Sequence, residues 1–352
     1  MSTLKIFKHS NRNEWVSFCR KQELYLDIYY ESDFLYLDAI LQKGEYEIFT
    51  YQRDAFVFVY PYIKLIIPIQ GYEGYFDISS PYGYAGPYVN TSDTIFLDEA
   101  EEALLDYFNQ LGIVTEFIRY HYQYNDGGVF FKINIHNIPN RAIVVLNLSS
   151  GADYIWEKEF SKKCRNLHRK TEKEGFEFKF CNEEIDIETF WNMYIQTMDN
   201  AQAEVFYYFE KGYIEETMRI LDSRIKLCNV VREGVTYATA LFYLNNGVVT
   251  YYLSARNFNY PKVNANSYLL SKMILWASSQ DYVIFNLGGG TDNNPRNSLL
   301  AFKKNFSTFV PTFYIGKRIH RQDIYDKIIK IYIKEHGESA YENRKQLLQF
   351  YR

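Results

Sequence analysis

The stretch FNLGGGTDNNPRNSLLAFKKNF, residues 285–306, holds the side chains best suited to do chemistry. A strand running into Gly288, Gly289 and Gly290 lets backbone come close to a ligand, because no side chain projects from these positions. Asp292 and Asn293 follow in a turn, and Phe302 and Lys303 lie on a short helical run, Ser298–Asn305. Where a reaction builds an oxyanion, a fixed cation or N–H beside it is worth roughly 3–4 kcal/mol. Lys303 is the residue placed for that role; Lys304 beside it reads as a solvated charge. A nucleophile that attacks must also lose a proton. Asp77, Glu204 and Asp292 are the carboxylates on offer, Asp292 and Asp77 first, and each of these two also suits a turn or cap.

Two further segments carry binding chemistry. In YYLSARNFNYPKVNANSYLL, residues 251–270, a strand ends at Ala255 and a helix begins near Asn266. The free N–H groups and partial positive charge of a helix start bind phosphate, so Asn264, Asn266 and Ser267, with Arg256 and Lys262, form a candidate donor-phosphate site. Ordinary capping with solvated charges is the competing reading. In SSPYGYAGP, residues 79–87, Pro81, Gly83 and Gly86 fix a tight loop, and Tyr82 and Tyr84 could line an acceptor cleft or merely pack it. Tyr207, Tyr208, Tyr252 and Phe302 are further candidates for holding substrate, since an aromatic ring stacks on a sugar or base and a tyrosine hydroxyl also hydrogen-bonds. The basic run Lys162–Lys173 suits an acceptor diphosphate, a tRNA backbone or plain solvent.

These three segments, in this order and spacing, resemble the FemABX-like peptidoglycan-bridge aminoacyltransferases, a branch of the GNAT acyltransferase superfamily; the resemblance spans roughly residues 20–320. It implies two tandem GNAT-like domains and acyl transfer to an amine, with a lysine at the position of Lys303 holding the donor or the developing charge. It implies acyl-CoA (acetyl-CoA) or aminoacyl-tRNA as donor and a nucleotide-linked sugar or peptidoglycan precursor as acceptor, with tRNA or an acyl carrier protein as partner. Tyr207, Tyr208 and Tyr213 resemble the aromatic cluster of envelope-sugar acyltransferases in the same superfamily. The chain departs from ordinary GNAT enzymes in lacking their Q/R-x-x-G-x-G/A coenzyme A loop, since no glycine lies between Arg256 and Ser279.

The elements that must position these residues follow from periodicity. Residues 22–69 alternate strand-like runs with turns: Tyr46–Tyr51 and Ala55–Tyr60 read as strands about a turn at Gln52–Asp54, and Ile63–Ile69 as another. Asp98–Leu111 reads as an amphipathic helix with Asp98, Glu99, Glu101 and Glu102 crowding its start and Gly112 stopping it. Val114–Tyr122 and Ala142–Leu148 are strands about a turn at Asn125–Gly128. Then come a helix over Tyr154–Glu174, a strand Phe176–Phe180, helices Ile187–Asn200 and Lys211–Ser223, a meander Ile225–Arg232, Thr236–Leu244 and Val248–Ala255, a helix Asn266–Ser279 and a strand Tyr282–Leu287. Meander, helix, strand is the GNAT order, and it occurs in both halves. The expectation is therefore α+β: two GNAT-like domains, each a mixed, mainly antiparallel sheet flanked by helices. Their expected extents are 1–150 and 151–320, with a helical tail at 321–352.

Length and composition agree with two cores: 352 residues exceed the usual limit of one, and the hydrophobic share of 47% is enough to fill them. A net charge of −4 argues against broad nucleic-acid binding, while leaving room for a local basic patch. Cys19, Cys164, Cys181 and Cys228 have no zinc spacing, the histidines have none either, and no metal is expected. The opening MSTLKIFKHSNRNEW has no apolar run of signal-peptide type and no segment is long enough to span a bilayer, so a cytoplasmic enzyme is expected. With 34 Tyr and 27 Phe, tyrosine-lined grooves are affordable, although a low-GC genome alone would write such a composition. Two other functions stay open: a non-catalytic module that binds a glycan precursor, and a transferase acting on protein N-termini. An exposed Lys303 would favour the binding module.

Overall fold

The computed structural model describes residues 2–124, 131–181, 183–260 and 263–352. The chain divides into two compact units: Met1–Asn140 with Thr312–Arg352, and Arg141–Pro311. In the first unit β1 (Ser2–Phe7), α1 (Arg12–Lys21) and α2 (Ser32–Gln42) precede β2 (Glu45–Arg53), β3 (Phe56–Ile66), β4 (Phe76–Ser79), β5 (Tyr88–Val89), α3 (Thr94–Leu111) and β6 (Ile113–Arg119). β7 (Ile135–Asn147) then leads into the second unit, which holds α4 (Ala152–Tyr154), α5 (Lys162–Lys173), β8 (Glu177–Cys181), α6 (Glu184–Ala201), α7 (Lys211–Leu221), β9 (Ile225–Arg232), β10 (Val235–Asn245), β11 (Val248–Arg256), α8 (Ala265–Ser278), β12 (Ile284–Gly289) and α9 (Ser298–Lys303). β13 (Thr312–Ile319), α10 (Gln322–His336) and α11 (Glu338–Arg344) return to the first unit.

In the first unit the sheet runs β1-β2-β3-β4-β6-β13, with β5 on β3. Its pairs are antiparallel except β4 with β6, which α3 connects as a crossover. β3 is buried at nearly every position because both faces are covered, which is why it reads as a continuous apolar and aromatic run. Phe58, Tyr60, Tyr62, Ile78, Phe96, Leu104 and Phe108 share one core here. α3 starts earlier than its acidic cluster suggests: Asp93 caps it by accepting from Phe96 N at 2.7 Å, and no acidic residue lies in the first turn. Glu101 of that cluster is instead buried, paired with buried Arg318 at 2.7 Å.

The second unit repeats the scheme as β7-β12-β11-β10-β9-β8, antiparallel except for β11 with β12, which α8 connects. α8 fills the core with Leu269, Leu270, Met273, Ile274 and Ala277.

Three expectations need correction. The helix expected over Tyr154–Glu174 is broken: a wide turn over Ile155–Glu159 ends in extended Phe160, and Ser161 caps a fresh helix by accepting from Cys164 N at 3.0 Å. Residues 22–69 hold α2 as well as strands; its stripe Phe34, Leu35, Leu37, Ala39 is buried on several sides and so shows weak amphipathic contrast. The compact units meet at 140/141 and 311/312 rather than at 150, and 321–352 does not stand apart as a tail. β13 pairs antiparallel with β6, and Arg352 closes on buried Asp77 through Nε at 3.0 Å and Nη2 at 2.8 Å. The turn expected at Asn125–Gly128 lies outside the described residues.

Candidate active site

β11 and β12 pair in parallel only over Val248–Thr250 against Ile284–Asn286. Beyond that register the two strands part and form a fork. Two irregularities open it. In β11 Tyr252 is an extra residue, because Tyr251 faces Phe242 while Leu253 faces Leu241. In β12 the register slips between Asn286 and Gly288. Gly288 holds a φ of +70°, which glycine adopts without strain, and its N–H donates to Asn286 Oδ1 at 2.8 Å. Val249 and Phe285 point into the α5/α8 core, so the neighbouring registered pair, Thr250 and Asn286, lies on the opposite face. Both are buried, and Thr250 Oγ1 and Asn286 Nδ2 have no hydrogen-bond partner among the described residues.

Lys303 stands at this fork. Its Nζ donates to Gly289 O at 2.7 Å and lies 5.6 Å from the Tyr251 ring centre. The residue is 7% exposed and has no acidic partner among the described residues. Burial alone pushes its pKa from 10.5 to about 7. The fixed cation expected from the sequence is therefore a group that titrates near neutrality. Its position comes from the loop before it. Asn297 caps α9, its Oδ1 accepting from Leu299 N at 3.0 Å and Leu300 N at 3.1 Å. Its Nδ2 reaches Thr291 Oγ1 at 2.6 Å and Asp292 Oδ1 at 3.0 Å. A Cβ on Gly290 would lie 2.5 Å from Asn297 Oδ1, so any larger residue there would displace the Asn297 cap.

The carboxylates offered as bases are engaged elsewhere. Asp292 is exposed and its Oδ1 also accepts from Asn294 N at 2.9 Å, which makes it a builder of the loop. Asp77, in the first unit, takes Thr115 Oγ1 at 2.6 Å and Tyr351 Oη at 2.8 Å besides Arg352. Glu204 is exposed at the start of a short turn and makes no capping bond.

The start of α8 has a neighbour that the sequence did not announce. α5 runs parallel to it: the Cys164 thiol meets Ser267, His168 Nδ1 meets Ser271 Oγ at 2.6 Å, and Glu172 meets Lys272 at 3.6 Å. Two helix N-termini therefore lie side by side, with exposed Lys162 and Lys163 on α5. Asn264 is exposed and caps nothing with its side chain, Asn266 is half-buried and Ser267 is buried. Lys262 lies outside the described residues. Arg256 ends β11 with its guanidinium 3.8 Å from the Phe258 ring centre.

The aromatic candidates separate into groups. Tyr252 stacks on Tyr243 at 4.3 Å, and the cluster of Tyr194, Tyr213 and Tyr243 raises its pKa further after burial has done so. Tyr207 lends its carbonyl to Tyr194 Oη at 2.6 Å, and Tyr208 Oη donates to Asp199 at 3.0 Å. Phe302 packs edge-on against Phe306. Tyr82 and Tyr84 belong to the first unit. The N–H of Tyr82 donates to buried Asp38 at 3.1 Å, and Tyr84 packs against Tyr29, Tyr122 and Phe313. Thr250, Tyr251, Asn286 and Asn297 escaped the sequence reading. Asn297 alone had a signal, an Asn directly before the Ser-Leu-Leu helix start.

Residues 158–304 match the acetyltransferase (GNAT) domain family. No curated protein sequence matches the chain. Among solved structures, FemX superposes with a TM-score of 0.69 at 14% identity, covering 92% of this chain and 99% of its own. A conserved protein of unknown function from Bacteroides thetaiotaomicron gives 0.55 at 10% identity, covering 90% and 100%. The C-terminal domain of a putative lysylphosphatidylglycerol synthetase from Agrobacterium fabrum gives 0.54 at 12% identity, covering 91% and 97%. No described helix is long and apolar enough to cross a membrane, and no His, Cys, Asp and Glu group among the described residues could hold a metal. The chain thus carries a GNAT acetyltransferase domain around the fork, the domain of an acyltransferase, and shares the fold of FemX.

Proposed function

We propose that the chain forms an amide by passing an acyl group to the amino group of a cell-envelope glycan precursor, a nucleotide-linked amino sugar. The observation that carries this reading is Lys303, a lysine buried without a counter-charge among the described residues at the mouth of a parallel-strand fork. In this reading the acyl carbonyl enters the fork and the neutral amine attacks its carbon. The oxyanion that develops takes a hydrogen bond from the Lys303 ammonium, which low dielectric makes strong. Collapse breaks the bond to the thiolate or ribose oxygen, and the nitrogen releases its proton. Gly288–Gly290 let the donor backbone approach, and the paired starts of α5 and α8 favour its phosphates. The tyrosines Tyr207, Tyr208, Tyr243 and Tyr252 suit a hydroxyl-rich ring. A pure binding module has no use for a desolvated ammonium, so the burial of Lys303 speaks for catalysis.

A second reading is aminoacyl transfer from tRNA to a peptidoglycan precursor. The likeness of fold to FemX favours it, as does the missing coenzyme A loop. The test is intact mass of amino-sugar nucleotides after incubation with acetyl-CoA, beside charged tRNA with a UDP-linked muramyl pentapeptide. A gain of one acetyl group on the sugar supports the first reading, and a gain of one amino acid on the peptide the second. No gain in either, with wild type matching Lys303→Met, overturns both.

A further inference from the structure

We infer that β8, the strand that ends the sheet of the second unit, pairs edge to edge with β8 of a second copy of this chain, antiparallel and centred on Phe178. The assignment does not depend on the proposed reaction. β8 pairs with β9 along one side and closes the sheet order. Its other side is a row of backbone N–H and C=O groups with no strand against it among the described residues, and such a row is a template for another strand. The side chains along it are open: Glu177, Lys179 and Phe180 are exposed and Phe178 is half-buried. The two faces of this edge differ. Phe178 and Phe180 lie on the α8 side, where Phe180, 40% exposed, meets Phe178 at 5.1 Å and Trp276 of α8 at 4.9 Å. Trp276 continues the row to Tyr282 at 5.9 Å, and Lys226 lies over Phe180 and Trp276 at 5.5 and 5.9 Å. Glu177 and Lys179 lie on the opposite face and pair with each other at 3.0 Å.

This pattern selects the occupant and its register. Directly opposed residues share a face and faces alternate along a strand, so the two-fold axis of a self-pair passes through a residue and not between two. Centred on Glu177 or on Lys179, the axis sets like charges opposite each other, which is destabilising. Centred on Phe180, it sets Lys179 against Cys181. Centred on Phe178, it sets Glu177 opposite Lys179 of the second copy and Lys179 opposite its Glu177, so four charges alternate in sign around a square. On the other face the two Phe178 rings then meet, and Phe180 lies opposite Phe176. One register is rewarded on both faces and its neighbours are penalised, which is how an edge admits one partner and refuses others. A second copy carries the complementary sequence by symmetry. β1, the other outermost strand, bears Lys5 and no acidic residue, so it answers Glu177 but not Lys179.

Sedimentation velocity of the full chain across a dilution series tests this, and a concentration-dependent monomer–dimer equilibrium is expected. Lys179→Glu turns both cross-strand ion pairs into repulsions and should weaken the dimer about tenfold, and Glu177→Lys should do the same. The two substitutions together in one chain should restore it. An equimolar mixture of the two single variants should form a heterodimer at least as tight as the wild-type dimer, because each copy then answers both charges of the other. Both positions are exposed, and circular dichroism melts confirm that each variant is folded. The assignment is overturned by a wild type that stays monomeric at every concentration or grows into open-ended polymers. It is equally overturned by a dimer that neither single charge reversal weakens, or by single variants that do not recover on mixing.

Discussion

Replacing Lys303 by Met should make the protein more stable at acid and neutral pH while abolishing transfer. The fall of the ammonium from 10.5 to about 7 corresponds to about 5 kcal/mol against the protonated folded state. In the unfolded chain the lysine keeps its proton up to its ordinary pKa, whereas in the folded chain it loses it near neutrality. The cost is thus present in full below about pH 7, shrinks by about 1.4 kcal/mol per pH unit above it and vanishes beyond the unfolded pKa. Met fills the stem but leaves Gly289 O without its donor, at about 1–3 kcal/mol. The variant should therefore gain about 2–4 kcal/mol at pH 6. Its advantage should fade with rising pH and turn into a loss of about 1–3 kcal/mol above the unfolded pKa. Urea unfolding at pH 6, 8 and 10, followed on the transition that includes residues 141–311, measures the difference. A variant less stable than wild type at pH 6, or a difference independent of pH, would refute the claim that a desolvated ammonium sits at the fork.

Transfer by the wild type should fall as pH rises through about 7, as the Lys303 ammonium deprotonates; a pH–kcat profile of Lys303→Arg, whose charge persists, should lack that limb. Asn297→Ala should cost about 1 kcal/mol of stability by removing the α9 cap and should lower kcat more than it raises KM, checked by steady-state kinetics with circular dichroism melts. Arg352→Met leaves the Asp77 carboxylate buried without its cation, and chemical unfolding should show a loss of about 3–5 kcal/mol with no change in donor affinity.

What could be read from the sequence is what local patterns encode. The meander Ile225–Ala255, the helix after it and the strand before the glycines are set by periodicity, and each appears within a few residues of its expected place. Lys303 stands out in the sequence because it follows Gly288–Gly290 on a helical run, a local feature. Its depressed pKa is not legible there, because desolvation depends on the tertiary burial of the side chain against Tyr251 and Gly289. The fork itself was invisible: a bulge at Tyr252 is a matter of register with β10, and nothing in YYLSARNF announces it. Asp77 looked like a base because its neighbours in sequence form a loop. Its actual partners, Arg352 and Tyr351, lie at the far end of the chain. The parallel seating of α5 beside α8 escaped for the same reason, since Cys164 and Ser267 meet only through tertiary packing.

The first unit is built from two separated stretches, with the second unit lying between them in sequence. During synthesis this imposes an order. Residues 141–311 are continuous and leave the ribosome whole, whereas the first unit must wait for β13. Until then β6 lacks the neighbour that takes up Thr115–Arg119 on its outer edge, and Asp77 lacks its cation. A nascent chain stalled between the two events would expose an unpaired strand edge beside an uncompensated buried acid, a surface that invites mispairing with another chain. The acyltransferase half can thus mature first, and the half that completes last is the one most dependent on uninterrupted translation.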